Sequence, residues 1–367
     1  MPRKQPENTS LARTPLQHPL HQKMADPTNK AQMIPLITLE EHFFASHITD
    51  WSTYGYSEQF KHLPGVVDKL LDLDTTRLQS MDQNSISIQV LSHGPGLAKS
   101  SGPDPLGDCR KANNQMAEAV QRHAKRYAAL AVLPMSLPDA AAEELTRCVK
   151  KLGFCGALID NHVDGIHYES ARYHKFWRTA EALSVPIYLH PTWPAPSVQL
   201  PQYQGEIPGS ATASLGSSAW GWHADVGNHV LKLFAAGIFD LFPKLKIIVG
   251  HMGEMLPFML ERIEYLSLRW KVGDLHSELT HRPFGQVYRE NIWITTSGCW
   301  SIAPMACILR NTDVEHILYS VDYPFAKNED GLRFMQEFRA SGLVTEEQFE
   351  KIGYKNAEKL LGIKVSE

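Results

Sequence analysis

The segment ITLEEHFF, which begins at Ile37, ends an apolar run in two carboxylates and an imidazole. Alternate residues of a β-strand point to the same face of a sheet, so a strand here places the side chains of Glu40 and His42 side by side. A metal ion can bind to both. The same residues also fit the solvated end of an ordinary strand, because E-x-H triplets are common by chance.

Further apolar runs end in residues of the types that bind metals. His190 ends YLH, His251 ends VGH, and Asp322 lies in SVDYPF. A strand-end histidine taken alone fits a structural hydrogen bond, but the carboxyl ends of parallel barrel strands lie on one face, where these side chains would meet. Carboxylate oxygens with imidazole nitrogens suit zinc (Zn²⁺), and also Mn²⁺ or Mg²⁺. The pattern predicts a mononuclear metal site of Glu40, His42, His190 and Asp322.

Short apolar runs, which predict strands, alternate along the chain with segments of helical pattern, and these elements must position the candidate metal ligands. Such alternation indicates a parallel sheet covered by helices, and eight runs predict a (β/α)₈ TIM-like barrel of the α/β class. A doubly wound open sheet is the alternative, but no glycine-rich phosphate loop follows any strand. The predicted strands are residues 37–42, 85–92, 127–134, 155–160, 186–190, 246–251, 292–297 and 316–324.

The composition limits the classes of function. The 367 residues are 43% hydrophobic, which suits one barrel with insertions. The net charge of −4, with no basic patch, argues against a nucleic-acid partner, and no apolar run reaches the length of a membrane span. Five cysteines without C-x-x-C spacing predict free thiols in a reducing, cytoplasmic compartment rather than a zinc–thiolate site.

Two segments depart from the barrel pattern. Residues 1–33 are polar and proline-rich and lack the apolar stretch of a secretory signal, so we predict a disordered tail followed by a barrel over residues 34–367. Met24 is an alternative start, because the apolar pattern begins only at Ile34. The connection over residues 191–227 is unusually long and rich in small residues, which predicts a lid or a subunit contact on the C-terminal face of the barrel.

On its motifs the chain resembles the amidohydrolase superfamily, and within it the branch related to amino-carboxymuconate-semialdehyde decarboxylase. The supporting segments are LEEH, RLQSMDQNSISIQVLS, YLHP, GHMGE, DYPF and NAEKLLGI, spread over residues 34–364. Most members carry H-x-H on the first strand, and the E-x-H form found here resembles γ-resorcylate, 2,3-dihydroxybenzoate and salicylate decarboxylases. The tail, the TWP after His190 and the long lid depart from the family pattern and leave the substrate open.

The resemblance implies roles for particular residues. It assigns Glu40, His42, His190 and Asp322 to the metal and places His251, paired with Glu254, beside the substrate. A carboxylate near an imidazole orients the ring and favours its protonated form.

Each remaining candidate has an ordinary alternative. The resemblance places Arg262 near the substrate carboxylate, although an exposed helix arginine fits as well. Phe325 would pack on an aromatic ring or within the core, and Glu254 would otherwise complement a helix N-terminus. His93 and Trp193 are candidate substrate contacts, with structural packing as the alternative.

The expected activity is that of a carboxy-lyase, a non-oxidative decarboxylase that converts an ortho-hydroxy aromatic acid into a phenol and CO₂. The metal would bind the carboxylate and phenolic oxygens, and Asp322 would protonate the ring carbon with support from His251 and Glu254, without an organic cofactor. A metal-dependent hydrolase of a lactone, amide or ester is the alternative on the same barrel, and a binding barrel without activity is a third. The expected partners are a small aromatic acid and further copies of the chain, as a homodimer or homotetramer, with neither nucleic acid nor a membrane.

Overall fold

Eight parallel strands follow one another around a sheet in chain order. The computed structural model describes residues 33–49, 56–97, 104–195, 197, 202–270 and 282–365. Each strand pairs in parallel with the next, which confirms the predicted barrel. The strands are β1 (Leu36–Phe43), β2 (Ile86–His93), β3 (Tyr127–Ala131), β4 (Gly156–Asp160), β5 (Pro186–His190), β6 (Lys246–Val249), β7 (Ile292–Thr295) and β8 (Ile317–Leu318).

Helices separate the strands along the chain. The helix Pro138–Leu152 has proline in its first turn and stops at Gly153, whose φ of 74° suits glycine and ends the helix. None of the described helices combines the length and the apolar character needed to cross a bilayer. The α-helices of the described ranges include Tyr56–Lys61, Val66–Leu71, Thr76–Gln83, Pro105–Arg122, Pro138–Leu152, His174–Leu183, Gly209–Gly216, Gly221–Ala235, Ile238–Leu241, Leu260–Ser267, Phe284–Asn291, Ile302–Asn311, Asn328–Ala340, Glu346–Glu350 and Asn356–Leu361.

The strands consist largely of apolar residues, because one face of each strand packs inside the barrel and the other packs against helices. All eight residues of β1 are buried, and so are all five residues of β4 and of β5. Apolar side chains from most of the strands form one buried cluster, to which the helix Asn356–Leu361 contributes Leu360 and Leu361. This packing holds the strands rigidly, so the residues at their carboxyl ends have fixed positions.

The eighth strand is much shorter than the predicted segment 316–324. Beyond Leu318 the chain forms no regular ladder with a neighbouring described strand, and its bonds to β1 involve both side-chain and backbone groups. The N–H group of Val321 donates to the Glu41 carboxylate at 3.1 Å, and the N–H group of His42 donates to the Tyr323 carbonyl at 2.7 Å. These bonds join β1 to the segment after β8 and close the barrel there.

Both predictions outside the barrel, the tail over residues 1–33 and the lid or subunit contact over residues 191–227, stay predictions. Residues 1–32 of the predicted tail lie outside the described residues, so that prediction stays untested. The small residues of the long connection after β5, which suggest turns, form the helix Gly209–Gly216. All five cysteines are free thiols.

Candidate metal centre and active site

Glu40, His42, His190 and Asp322 come together at the carboxyl ends of β1 and β5 and just after β8. Each offers one ligand-type atom, and these four atoms lie within 4.8 Å of one another. Nε2 of His190 is 3.0 Å from Oε1 of Glu40, and Nε2 of His42 is 3.3 Å from Oδ1 of Asp322. Glu40 and His42 are fully buried. The geometry thus joins the residues whose chemistry the sequence singled out.

The four side chains fit a divalent metal ion. Oε1 of Glu40 and Nε2 of His42 are buried, and apart from their close approaches to His190 and Asp322 within the cluster they have no hydrogen-bond partner among the described residues. A buried polar atom without a partner costs about 1–3 kcal/mol. A cation in contact with both atoms removes that cost, and carboxylate oxygen with imidazole nitrogen is a common donor set for such ions.

Hydrogen bonds to the other atoms of these residues fix their orientation. Nδ1 of His190 donates to the carbonyl of the next residue at 2.7 Å, which leaves Nε2 as the acceptor atom. Nδ1 of His42 lies 3.2 Å from the Ser92 hydroxyl, and the Tyr188 hydroxyl donates to Oε2 of Glu40. Contacts of this kind set the ring orientation and the basicity of metal ligands.

The charges in the cluster suit metal binding. Burial opposes ionisation of Glu40, but the imidazoles of His251, His190 and His42 outweigh it and lower the pKa of this carboxyl. Burial lowers the pKa of His42, which keeps that ring neutral. Burial also acts to lower the pKa of His190, but the contact with Glu40 outweighs it and raises this pKa. A carboxylate and a neutral imidazole are the protonation states that bind metals. Glu40 and His42 therefore already have the binding forms, whereas an ion would have to displace a proton from His190.

Glu41 is a residue of the site that the sequence analysis missed. Its carboxyl group accepts hydrogen bonds from the N–H groups of Val321 (3.1 Å) and Tyr323 (3.3 Å), which flank Asp322, and from the Gln89 amide at 3.3 Å. Asp322 itself has a φ of 72°, which is strained for a residue other than glycine. Burial raises the pKa of Glu41 to about 8, and the bond from Val321 opposes that rise. Glu41 therefore holds the backbone on both sides of Asp322.

His251 and Glu254 lie in a turn after β6, in which every residue from His251 to Met255 has a positive φ. Nδ1 of His251 is 2.7 Å from Oε1 of Glu254, and Nε2 of His251 is 3.7 Å from Oε1 of Glu40. Burial opposes charge on both groups. Their mutual attraction outweighs it, so the pKa of Glu254 is lowered and that of His251 is raised well above its ordinary value. The pair is therefore ionic, and Glu254 does not lie in the first turn of a helix.

A cavity of about 1020 Å³ opens above the cluster, and His190, His251 and Asp322 lie in its wall. Trp193 and Phe325 line it as well. So does Tyr56, which the sequence analysis missed. The Tyr56 ring is nearly parallel to the Phe325 ring, with centroids 6.2 Å apart, and meets the Trp193 ring edge-on at 4.6 Å. These aromatic faces can pack against the ring of a substrate.

Two candidate substrate contacts lie elsewhere. His93 is buried; its Nδ1 donates to the Gly94 carbonyl at 2.7 Å, and its Nε2 accepts from the Ala45 N–H group at 3.1 Å. Arg262 is exposed on the helix Leu260–Ser267. Neither is among the described residues that line the cavity. Within one chain the structure therefore places neither residue beside the metal cluster.

This chain is similar to proteins of known family and structure. The amidohydrolase family model matches residues 99–363. Decarboxylase orsB of Emericella nidulans is 50% identical over 90% of this chain and 97% of its own length. Gamma-resorcylate decarboxylase of Polaromonas sp. is 33% identical over 88% of this chain and 97% of its own length. The crystal structure of a dihydroxybenzoic acid decarboxylase from Polaromonas sp. JS666, with bound manganese and the inhibitor 2-nitroresorcinol, has a TM-score of 0.79 at 32% identity and covers 90% of this chain and 97% of the other.

Proposed function

Because this chain belongs to the amidohydrolase family, we propose that it is a metal-dependent, non-oxidative decarboxylase of an ortho-hydroxy aromatic acid. The observation that carries the proposal is the cluster of Glu40, His42, His190 and Asp322 beneath an aromatic-walled cavity. The relatives of similar length are named as decarboxylases, which favours this chemistry over hydrolysis of a lactone, amide or ester.

The proposed cofactor is one divalent ion. It would be held by Glu40, His42, His190 and Asp322, and when bound it would polarise the oxygens of the substrate. The sequence favoured zinc, whereas the solved relative from Polaromonas contains manganese. We therefore put Mn²⁺ first and keep Zn²⁺ and Mg²⁺ as alternatives for the metal analysis.

The chain's own residues supply position and protons. Tyr56, Trp193 and Phe325 hold the aromatic ring and exclude water from its faces. Asp322 delivers a proton to the ring carbon that bears the carboxylate; the bond to the carboxyl carbon then breaks, its electron pair returns to the ring, and CO₂ departs. Each turnover of the acid anion consumes one proton. The ionic pair of His251 and Glu254 lies beside Glu40 and replaces that proton.

A panel of benzoic acids tests the proposal. Protein loaded with Mn²⁺ is incubated with 2,6-dihydroxybenzoate, 2,3-dihydroxybenzoate, salicylate and benzoate, and both CO₂ and the matching phenol are measured. We expect turnover of at least one ortho-hydroxy acid and far slower reaction of benzoate, because benzoate lacks the second oxygen needed for chelation. Hydrolysis of ester or lactone substrates without CO₂ release would support the alternative.

The predicted homodimer or homotetramer and the cytoplasmic location remain predictions from the sequence. The exposed apolar residues Tyr265 and Leu268, on and just after the helix Leu260–Ser267, support a contact with a second subunit. Sedimentation analysis of the purified protein measures the oligomeric state directly.

A further inference from the structure

His223 lies between the helix Gly209–Gly216 and the pair of His251 and Glu254. It belongs to the helix Gly221–Ala235, and its side chain, which is 19% exposed, reaches the cavity wall. Its Nδ1 is 2.7 Å from Oε2 of Glu254. The other carboxylate oxygen of Glu254 is 2.7 Å from Nδ1 of His251. One buried carboxylate is thus held between two imidazoles.

The contact with His223 determines whether Glu254 stays in the position from which it orients the His251 ring. Glu254 is 1% exposed, and without His223 its Oε2 would be a buried carboxylate oxygen lacking this partner. A buried carboxylate oxygen without a partner is unfavourable, which favours rotation or protonation of the carboxyl group. Either change removes the acceptor that orients the His251 ring, whose Nε2 is directed towards Glu40 at 3.7 Å.

His223 also contacts the segment that follows the helix Gly209–Gly216. Its Nε2 lies 2.9 Å from the carbonyl oxygen of Ser218. A carboxylate and a carbonyl are both acceptors, so the ring makes both bonds only when each nitrogen donates. Ser214, Ser217 and Ser218 line the same cavity, so this bond ties one wall of the cavity to the charged pair.

We infer that His223 is a positioning residue of the active site: it fixes the Glu254 carboxylate, through it orients His251, and couples the segment around Ser218 to both. The inference rests on the proposed function, because it gives His251 a part in proton supply. Within the described part of the chain, His223 contacts Glu254, His251 and Ser218 but none of the four residues of the metal cluster, so its loss should act on the pair of His251 and Glu254 and leave metal binding intact.

Three substitutions separate the two bonds of His223. His223→Asn keeps an amide donor near the position of Nδ1 but is too short to reach Ser218 as well. His223→Gln offers a donor near the position of Nε2, and His223→Leu removes both bonds at similar volume. We expect kcat to fall by about 10- to 100-fold in His223→Leu, with KM changed by less than about threefold and metal content unchanged. His223→Asn should recover more of the kcat than His223→Gln.

The control is His123→Leu, which removes an imidazole that pairs with Asp74 far from the cavity and should leave kcat unchanged. Wild-type kcat in His223→Leu overturns the inference, and so does an equal loss in all three variants accompanied by unfolding. A fall in metal content specific to the His223 variants also overturns it, because His223, His251 and Glu254 would then be ligands of a second ion.

A readout without turnover separates this inference from the proposed function. Crystal structures of His223→Leu and His223→Asn show whether the Glu254 carboxylate and the His251 ring keep their positions. We expect both to move in His223→Leu and to stay in His223→Asn. If the wild type decarboxylates none of the benzoic acids, the proposed function fails, while these structures still decide whether His223 holds the pair. Unmoved side chains in His223→Leu refute the positioning role.

Discussion

Nε2 of His190 lies 3.0 Å from Oε1 of Glu40, although the two residues belong to strands on different parts of the barrel. The other ring nitrogen of His190, Nδ1, donates to the Pro191 carbonyl, and the other carboxylate oxygen of Glu40, Oε2, accepts from the Tyr188 hydroxyl. The two atoms that face each other are therefore the ones available to a metal ion.

Replacement of His190 should remove the metal. We expect His190→Ala to lower bound metal from about one ion per chain to a small fraction, because one of four ligands is lost. His251→Ala should retain most of the metal, since His251 reaches Glu40 but is not one of the four. Elemental analysis of both variants, purified without added metal, makes the measurement. The reverse order would show that the two histidines have exchanged roles.

Glu41 should matter for both stability and metal content. Glu41→Ala leaves the buried N–H groups of Val321 and Tyr323 without their acceptor, at a cost of about 2–4 kcal/mol in the free energy of unfolding. The backbone around Asp322 should then relax and weaken metal binding. Urea unfolding with parallel metal analysis tests this. Glu143→Ala, at an exposed ion pair with Lys175, is the control and should change stability by less than about 0.5 kcal/mol. Similar losses in both variants would exclude a special role for Glu41.

The barrel was predictable because its strands are covered on both faces. Continuous apolar runs such as residues 186–190 mark such strands, and β5 spans those residues. The four cluster residues were predictable for a related reason, since strand ends of a parallel barrel lie on one face. Strand boundaries were less accurate. The predicted eighth strand continues to residue 324, but β8 ends at Leu318, beyond which the N–H groups of Ser320 and Val321 bond to the side chains of Thr296 and Glu41.

The residues that the sequence did not reveal act through contacts between distant segments. In the sequence Glu41 is only the residue next to Glu40, on the opposite face of the strand. Its role in holding the backbone around Asp322 is seen only in its bonds to Val321 and Tyr323. The sequence suggests no function for His223, because no local pattern connects it to Glu254. Their meeting depends on how the helix Gly221–Ala235 packs beside the left-handed turn after β6.

Acid should destabilise the protein through His93. Burial lowers the pKa of His93 to about 3, against about 6.5 in the unfolded chain. Between these values the unfolded chain takes up a proton and the folded chain does not, so stability is lost as pH falls below about 6.5, by up to about 1.4 kcal/mol per unit. His93→Gln should be less stable at pH 7.5 but lose stability more slowly between pH 6.5 and 5. Urea midpoints at several pH values measure both slopes. Burial also lowers the pKa of His229, so His93→Gln should keep part of the dependence of stability on pH. If the stability of the wild type and of His93→Gln falls equally steeply with pH, His93 does not contribute.

Asp322 should be required for proton transfer more than for binding. Asp322→Asn keeps an oxygen that can contact a cation but removes the exchangeable acid, so we expect turnover to fall by at least about 100-fold while substrate and part of the metal remain bound. Crystals of the variant soaked with an ortho-hydroxybenzoate should show the intact acid against Phe325. Near-wild-type activity would instead make His251 the proton donor.

Reaction in heavy water completes the test of Asp322. Whichever residue donates, the phenol should carry one deuterium at the carbon that lost the carboxylate, because the ring gains its proton from a group that exchanges with solvent. Mass spectrometry of the product from the wild type, and of any residual product from Asp322→Asn, reads this directly. Labelled product that forms slowly in the variant places Asp322 in the proton step. Unlabelled product from the wild type would rule out protonation by any exchangeable group of the site.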